Sequence, residues 1–254
     1  MIGDINIKNG SIATTRSSAS ARQLQSAINQ PGEIMRLSIL LSDGYTALDV
    51  VGGYEVLANV PGIETELVAQ TKGLVTADTR RLAMHAYRTF EEILDTDILY
   101  VPGGLGVTKG LKNTELLDTI RRLHATSTWT VGICNGVELL GAAGVIDGKE
   151  VTTNWTCRDR MAGYGAKVNT KRFHRDGKIV TSAGVSASID ASLFLAGLIA
   201  GEDIAKTIQL GIEYYPVPPF GNGTPDDAPA AAQALIRAFE QAGPERLESL
   251  RAPF

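Results

Sequence analysis

The stretch "TWTVGICNGVELLGAAGVIDG", residues Thr128 to Gly148, sets a cysteine between two glycines. Its first residues suit a buried strand, and beyond Gly136 the apolar residues recur with the spacing of a helix packed against a sheet. The two patterns change over within "GICNG", residues 132–136. The sequence therefore predicts a strand, a sharp corner at Cys134 and a helix.

Such a corner suits a nucleophile. The Gly-x-Cys-x-Gly spacing matches the steric logic of the Gly-x-Ser-x-Gly nucleophile elbow, in which glycines let the chain turn sharply. A helix N-terminus also favours thiolate over thiol, so we expect Cys134 to be ionised. The alternative is a buried, unreactive cysteine, which is a common role for a free thiol. The strand, the flanking glycines and the following helix together favour the nucleophile.

Strand and helix patterns alternate through the rest of the chain, which predicts an α/β fold with a mostly parallel sheet covered by helices on both faces. The predicted strands cover 34–42, 63–70, 96–104 and the approach to Cys134, and the predicted helices cover 47–60, 113–125, 186–200 and 230–241. A hairpin-like pair at 170–184 turns at Asp176-Gly177, and prolines make 214–229 irregular.

The N-terminal 33 residues are polar and end in Pro31-Gly32, which predicts a flexible extension, with an organelle transit peptide as the alternative. Residues 34–254 are predicted to form one domain. No stretch of about 18 apolar residues is present and the N-terminus has no apolar secretory core, so we expect a cytoplasmic protein without a membrane-spanning segment.

The charge balance and the two cysteines exclude several classes of partner and site. The chain has 24 basic and 28 acidic residues and a formal net charge of −4, with no long run of either sign, so neither nucleic acid nor an anionic membrane is an expected partner. Its two cysteines, Cys134 and Cys157, form no CxxC motif and have no paired histidines nearby. We expect neither a disulfide nor a metal site.

A nucleophile also needs a proton acceptor and a stabiliser of negative charge. The backbone N–H of Asn135 is one candidate oxyanion donor, and the Gly103-Gly104 turn after a neighbouring strand is another. Among the acids near strand ends, Asp43, Asp49, Glu55 and Glu138, we favour Asp49 at the start of the first helix. Thr46 stands three residues earlier, however, so Asp49 equally fits a structural capping box.

The histidines offer no obvious base. His85, His124 and His174 lie in polar or strand-edge contexts, remote from the predicted ligand-binding edge of the sheet. A surface or structural role is expected for each. A Cys-His catalytic pair therefore has no evident candidate.

The motifs "YVPGG", "GICNGVELLGAAGVIDGKEVTTNW" and "IVTSAGVSASIDASLFLAGLIAG" resemble the ThiJ/PfpI superfamily, relatives of class I glutamine amidotransferases. The resemblance runs from about Ile34 to Pro229. It implies a flavodoxin-like three-layer sandwich, with the elbow cysteine at Cys134 as nucleophile.

Within the superfamily, "ALDVVGGYEVL" and "IQLGIEYYPVPPFGNGTPDDAP" resemble the isonitrile hydratase group. The resemblance implies a homodimeric lyase that acts on a small molecule without a cofactor. It would hydrate an isonitrile to an N-substituted formamide through a covalent thioimidate, with Asp49 moving the proton. In the segments that carry the resemblance, we expect Gly103, Asn154, Trp155 and Gly184 to contact the substrate.

Two positions need comment. Asn135 stands where the hydratases usually have threonine. Glu138, one turn beyond the cysteine, is either a second acid in the pocket or a solvated helix residue, with the solvated interpretation slightly favoured. The alternative functions are another ThiJ/PfpI activity, such as a glyoxalase or amide hydrolase, and a ligand-sensing module without catalysis.

Overall fold

The computed structural model describes residues 34–221 and 223–250. The predicted N-terminal extension lies outside the described residues. The strands are β1 (Met35–Leu40), β2 (Ile63–Ala69), β3 (Gly73–Thr76), β4 (Ala83–Ala86), β5 (Arg88–Thr89), β6 (Ile98–Val101), β7 (Trp129–Ile133), β8 (Glu150–Val151), β9 (Lys167–Val168), β10 (Phe173–Asp176) and β11 (Ile179–Ser182).

The helices are α1 (Ala47–Leu57), α2 (Val107–Gly110), α3 (Thr114–Thr126), α4 (Gly136–Ala142), α5 (Ala187–Ala200), α6 (Glu202–Gly211), α7 (Ala230–Gln241) and α8 (Gly243–Ser249), with a 3-10 helix at Trp155–Tyr164. In the described part of the chain, no helix is long and apolar enough to cross a membrane.

One seven-stranded sheet runs in the order β10-β11-β7-β6-β1-β2-β5. Its pairings are parallel except for the outer β10–β11 hairpin, which turns at Gly177 with φ +61°. The order doubles back between β1 and β6, and ligands bind at such a switch point in open α/β sheets. The predicted fold class is confirmed.

Alternation along β1 sends its side chains into two separate cores. Leu37 and Ile39 pack on one face with residues of α1 and α5, whereas Leu40 packs on the other face with residues of α3 and α4. A sheet buried on both faces needs apolar residues at consecutive positions, which explains why the four buried residues of β6 include no polar face. Both layers end at the same sheet edge, where Cys134 lies.

Two features were missed by the sequence patterns. A β3–β4 hairpin occupies 73–86, and β8 pairs with β9 in a separate two-stranded ribbon. The strands of the ribbon are two residues long, too short for an alternating pattern to appear. The β3–β4 hairpin contributes to the site, because Asp78 in its connecting loop lines the cavity.

Candidate active site

Cys134 occupies the corner between β7 and α4 in a left-handed conformation, with φ +56°. This conformation is costly for a residue with a side chain and is characteristic of strained functional positions. The flanking glycines are needed for close approach. A Cβ at Gly132 would lie 2.7 Å from Leu140 of α4, and one at Gly136 would lie 2.5 Å from the Val101 carbonyl oxygen of β6. The predicted elbow is confirmed, and the strained backbone conformation is that of Cys134 itself.

The segment after β8 fixes the corner from the side. Thr153 Oγ1 donates a hydrogen bond to the Cys134 carbonyl oxygen at 2.7 Å, and Asn154 Nδ2 donates to Cys134 Sγ at 3.2 Å. Asn154 Oδ1 accepts from the Thr156 N–H at 3.0 Å, so the amide faces the sulfur with its nitrogen. Asn154 thus contacts the nucleophile as well as the cavity.

Asp49 is not a helix cap. Thr46, the residue that precedes α1, makes no side-chain capping bond, and its hydroxyl donates instead to Asp78 Oδ2 at 2.6 Å. The Asp49 carboxylate reaches across to the end of β6, where its Oδ2 accepts from the Gly103 N–H at 2.8 Å. Its side chain is fully buried and lies behind Cys134. The structure therefore removes the capping alternative and places this carboxyl next to Cys134.

Asp49 and Cys134 perturb each other's ionisation. Burial raises the pKa of Asp49 to about 7, and the Gly103 N–H opposes the rise. Asp49 Oδ1 has no well-aligned hydrogen-bond partner, although the thiol is close enough to lower the carboxyl's pKa. Burial and the negative charge of Asp49 both raise the pKa of the Cys134 thiol well above its usual value.

Desolvation of Cys134 therefore opposes the thiolate that the helix N-terminus was expected to favour. The N–H of Asn135 and the amide of Asn154 lower the pKa of Cys134, but burial outweighs them. Desolvation disfavours any isolated charge, and a neighbouring carboxylate disfavours a second negative charge. The resting pair holds a thiol beside a carboxyl that titrates near neutral pH, an arrangement suited to base-assisted attack.

The Gly103-Gly104 turn has no free N–H to offer. The Gly104 N–H donates to Asn135 Oδ1 at 2.7 Å, and Asn135 Nδ2 donates back to the Gly104 carbonyl oxygen at 3.1 Å. The Gly103 N–H is occupied by Asp49. The predicted oxyanion role of Gly104 is thus contradicted, because side chains distant in sequence already occupy both amides.

A cavity of about 650 Å³ opens in front of Cys134. This volume is suited to a small-molecule ligand. Its lining comprises Thr46, Asp78, Gly104, Leu105, Thr108, Leu111, Cys134, Asn135, Glu138, Asn154, Trp155, Thr156, Arg160, Val185, Ile236, Arg237, Phe239, Glu240, Gln241 and Pro244.

Two of the four residues predicted to contact the substrate line the cavity. Asn154 and Trp155 line the cavity, whereas Gly103 and Gly184 do not. Gly103 is buried behind Asn135, where a Cβ would lie 2.2 Å from Asn135 Oδ1, and its role is to hold Asp49. Gly184 precedes α5, and its neighbour Val185 reaches the cavity instead. The prediction that Gly103 and Gly184 contact the substrate is therefore wrong.

Glu138 is buried, with 3 % of its surface exposed, so the solvated interpretation is wrong. Its carboxylate pairs with Arg160 of the 3-10 helix, and the same guanidinium donates to Cys157 Sγ at 2.9 Å. Burial raises the pKa of Cys157 to about 12, which keeps it a thiol. Glu138 thus lies at the cavity wall as one half of an ion pair.

Sequence reasoning missed the contribution of the C-terminal helix. Ile236, Arg237, Phe239, Glu240 and Gln241 of α7 close one side of the cavity. Their helix pattern is ordinary, and only the tertiary structure brings them to the site. No signal in the sequence points to this placement.

The histidines remain away from the cavity. His124 bonds to Thr130 at 2.8 Å, and burial lowers its pKa to about 4. His85 lies on β4 and His174 on β10. Among residues 34–221 and 223–250, no cluster of three or more His, Cys, Asp or Glu side chains could hold a metal ion.

Comparisons with known proteins agree with this architecture. Residues 35–196 match the model of the DJ-1/PfpI family. The chain is 38 % identical to the isonitrile hydratase of Pseudomonas putida over 197 residues, which are 78 % of this chain and 86 % of that protein. It is 25 % identical to the HTH-type transcriptional regulator CdhR of Pseudomonas aeruginosa, over 67 % of this chain and 52 % of that protein.

Among solved structures, a ThiJ/PfpI family protein from Pseudomonas syringae superposes with a TM-score of 0.80 at 30 % identity. The superposition covers 89 % of this chain and 95 % of that one. The family match spans more than half of the chain and includes the elbow cysteine, Cys134. This chain belongs to the DJ-1/PfpI family.

Proposed function

We propose that this protein is a cysteine-dependent lyase that hydrates an isonitrile to an N-substituted formamide. The observation that carries the proposal is the buried Asp49 carboxyl behind the Cys134 thiol, at a cavity of about 650 Å³. The likeness to the Pseudomonas putida isonitrile hydratase supports the choice of substrate class.

The first half of the reaction is addition of the thiol to the isonitrile carbon. Asp49 accepts the Cys134 proton as sulfur attacks, and a C–S bond forms. The carbon then takes that proton from Asp49, which gives the thioimidate R–N=CH–S–Cys. A carboxyl whose pKa is about 7 exchanges protons in both directions near neutral pH, as this step requires.

The second half is hydrolysis. Water adds to the thioimidate carbon and the nitrogen gains a proton, with Asp49 as the shuttle. The C–S bond then breaks, which releases R–NH–CHO and returns the thiol. Asn154 Nδ2, already 3.2 Å from Sγ, stabilises the negative charge that sulfur carries as it enters and leaves.

The test is direct turnover by the purified full chain. Cyclohexyl isocyanide is added and N-cyclohexylformamide is measured by mass spectrometry. Cys134→Ala should abolish product, whereas Cys157→Ala, a matched removal of the other buried thiol, should retain most of it. Wild-type protein that forms no more product than Cys134→Ala would reject the hydratase.

The regulator likeness favours a second candidate, a ligand-binding module without turnover. A wild-type protein that binds an isonitrile by calorimetry, forms no formamide and acquires no covalent adduct would support this candidate instead.

We also propose a homodimer. Leu48, Val51 and Tyr54 recur on α1 at three-residue spacing, and each is about 40 % exposed. An exposed apolar stripe of this kind is typical of an interface. Sedimentation of the wild type should give twice the monomer mass, and Val51→Glu should lower it; a monomeric wild type would contradict the proposal.

A further inference from the structure

Helix α7 lies over the candidate active site with little apolar anchoring. No residue of α7, which is described throughout, is buried. Leu235 is 70 % exposed, and Ile236 and Phe239 are more than 40 % exposed. The contacts that fix the helix against the cavity are polar, and two of its side chains make them.

Those two side chains are Arg237 and Glu240. The Arg237 guanidinium carbon lies 4.6 Å from the centre of the Trp155 ring, a cation–π contact. The Glu240 carboxylate accepts hydrogen bonds from the Thr156 hydroxyl and, at 3.4 Å, from Asn154 Nδ2. Both therefore hold the segment that follows β8.

This segment contains Asn154, whose side chain donates to the nucleophile. Asn154 Nδ2 carries two N–H groups, and its contacts use one for Cys134 Sγ at 3.2 Å and the other for Glu240 Oε1. Thr156 fixes the opposite end of the same amide through its N–H. An amide held at both ends cannot turn its oxygen toward the sulfur.

We propose that Glu240 is a positioning residue, which acts through Asn154 to hold an N–H donor on the Cys134 sulfur. Helix α7 therefore both closes the cavity and orients the hydrogen-bond donor on the nucleophile. The inference rests on the proposed role of Cys134 as nucleophile, but it does not depend on which substrate the cavity takes.

The consequence concerns the ionisation of the thiol. The Asn154 amide lowers the pKa of Cys134, in opposition to burial and Asp49. Loss of Glu240 leaves the amide held only by the Thr156 N–H, so its hydrogen bond to the sulfur becomes less well fixed and that contribution weakens. The titratable or charged groups around the site are Asp49 of α1, Asp78 after β3, Glu138 of α4, Cys157 and Arg160 of the 3-10 helix, and Arg237 and Glu240 of α7.

The experiment compares Glu240→Ala with Glu240→Gln in the full chain. Glutamine loses the charge but keeps one acceptor oxygen at the same reach for Asn154, and its NH2 group can donate to the Thr156 hydroxyl. Alkylation of Cys134 by iodoacetamide is followed by mass spectrometry between about pH 6 and pH 10. Glu245→Ala, an exposed acid on α8 that does not line the cavity, is the matched control.

We expect the Glu240→Ala profile to move to higher pH by about half to one pH unit, the size of one hydrogen bond to the thiolate. Glu240→Gln and Glu245→Ala should superimpose on the wild type. Superposition of Glu240→Ala on the wild type would overturn the inference. An equal shift in the Ala and Gln variants would also overturn it, because the effect would then belong to the charge.

Thermal unfolding of each variant checks that the fold is intact. If Glu240→Ala does not fold, Glu240→Ser, whose short side chain also cannot reach Asn154, replaces it with the same expected shift. Alkylation profiles that behave as expected in a protein that forms no formamide would reject the proposed function and leave the positioning role standing.

Discussion

Asp49 Oδ2 accepts a hydrogen bond from the Gly103 N–H at 2.8 Å, across 54 positions of sequence. This bond ties the start of α1 to the end of β6 and aims the carboxyl at the back of Cys134. Gly103 can hold it only because it has no side chain, since the space of its Cβ is taken by Asn135.

Gly103→Ala should therefore destabilise the protein and disturb the site. Its Cβ would lie 2.2 Å from Asn135 Oδ1 and 2.9 Å from the Asn135 nitrogen, so the expected loss is about 1 to 3 kcal/mol in the free energy of unfolding. Gly184→Ala, with no atom within 4 Å of the new Cβ, is the control and should change it by less than about 0.5 kcal/mol. Urea unfolding measures both; equal losses would contradict this account.

Asp49→Asn should alter the dependence of stability on pH. Burial raises the pKa of Asp49 to about 7, above that of the unfolded chain, so the wild type loses stability as pH rises from the unfolded pKa toward 7. Asparagine does not titrate, so the variant's stability relative to wild type should grow by roughly 2 to 3 kcal/mol between about pH 5 and pH 8.

Urea unfolding at the two pH values measures this difference. Glu55→Gln, an exposed acid on the same helix, is the matched control and should show no such growth. A pH-independent difference for Asp49→Asn would mean that the carboxyl is not protonated by burial.

Asp49→Asn should also shift the ionisation of Cys134. The negative charge of Asp49 raises the pKa of the thiol, so its removal should move thiolate formation to lower pH. Turnover should nevertheless fall, because the proton acceptor is gone. Thiolate absorbance across pH measures the shift in a Cys157→Ala background; a shift to higher pH would show that Asp49 does not oppose the thiolate.

Asn135→Ala should destabilise the corner. The variant loses both hydrogen bonds to Gly104 and leaves the Gly104 N–H buried without its partner, which costs about 1 to 3 kcal/mol. Asn169→Ala removes an amide that makes only exposed contacts, to Glu150 and Lys171, and should cost less than about 0.5 kcal/mol. Thermal unfolding compares the two variants. If Asn135→Ala unfolds at the same temperature as the wild type, the two hydrogen bonds between Asn135 and Gly104 do not stabilise the fold.

The local pattern was sufficient for part of the site. "GICNG" predicts the elbow because its steric demands lie within five consecutive residues, and the structure places Cys134 there with φ +56°. The alternation of strands and helices likewise predicts the layered sheet. The preference for Asp49 came from its place after β1, but its capping alternative was removed only by the observed partner, Gly103.

The sequence by itself determined the corner and the alternation of elements, and it gave Cys134 as the predicted nucleophile. Only the tertiary structure raised the pKa of Cys134 and buried Glu138. It also supplied the side chains that accept hydrogen bonds from the Gly103 and Gly104 N–H groups. It alone brought Glu240 to Asn154, 86 positions away. The physical reason is that a pKa depends on desolvation and on neighbouring charges, and a hydrogen bond depends on distance in space. Neither quantity is encoded by residues adjacent in the chain.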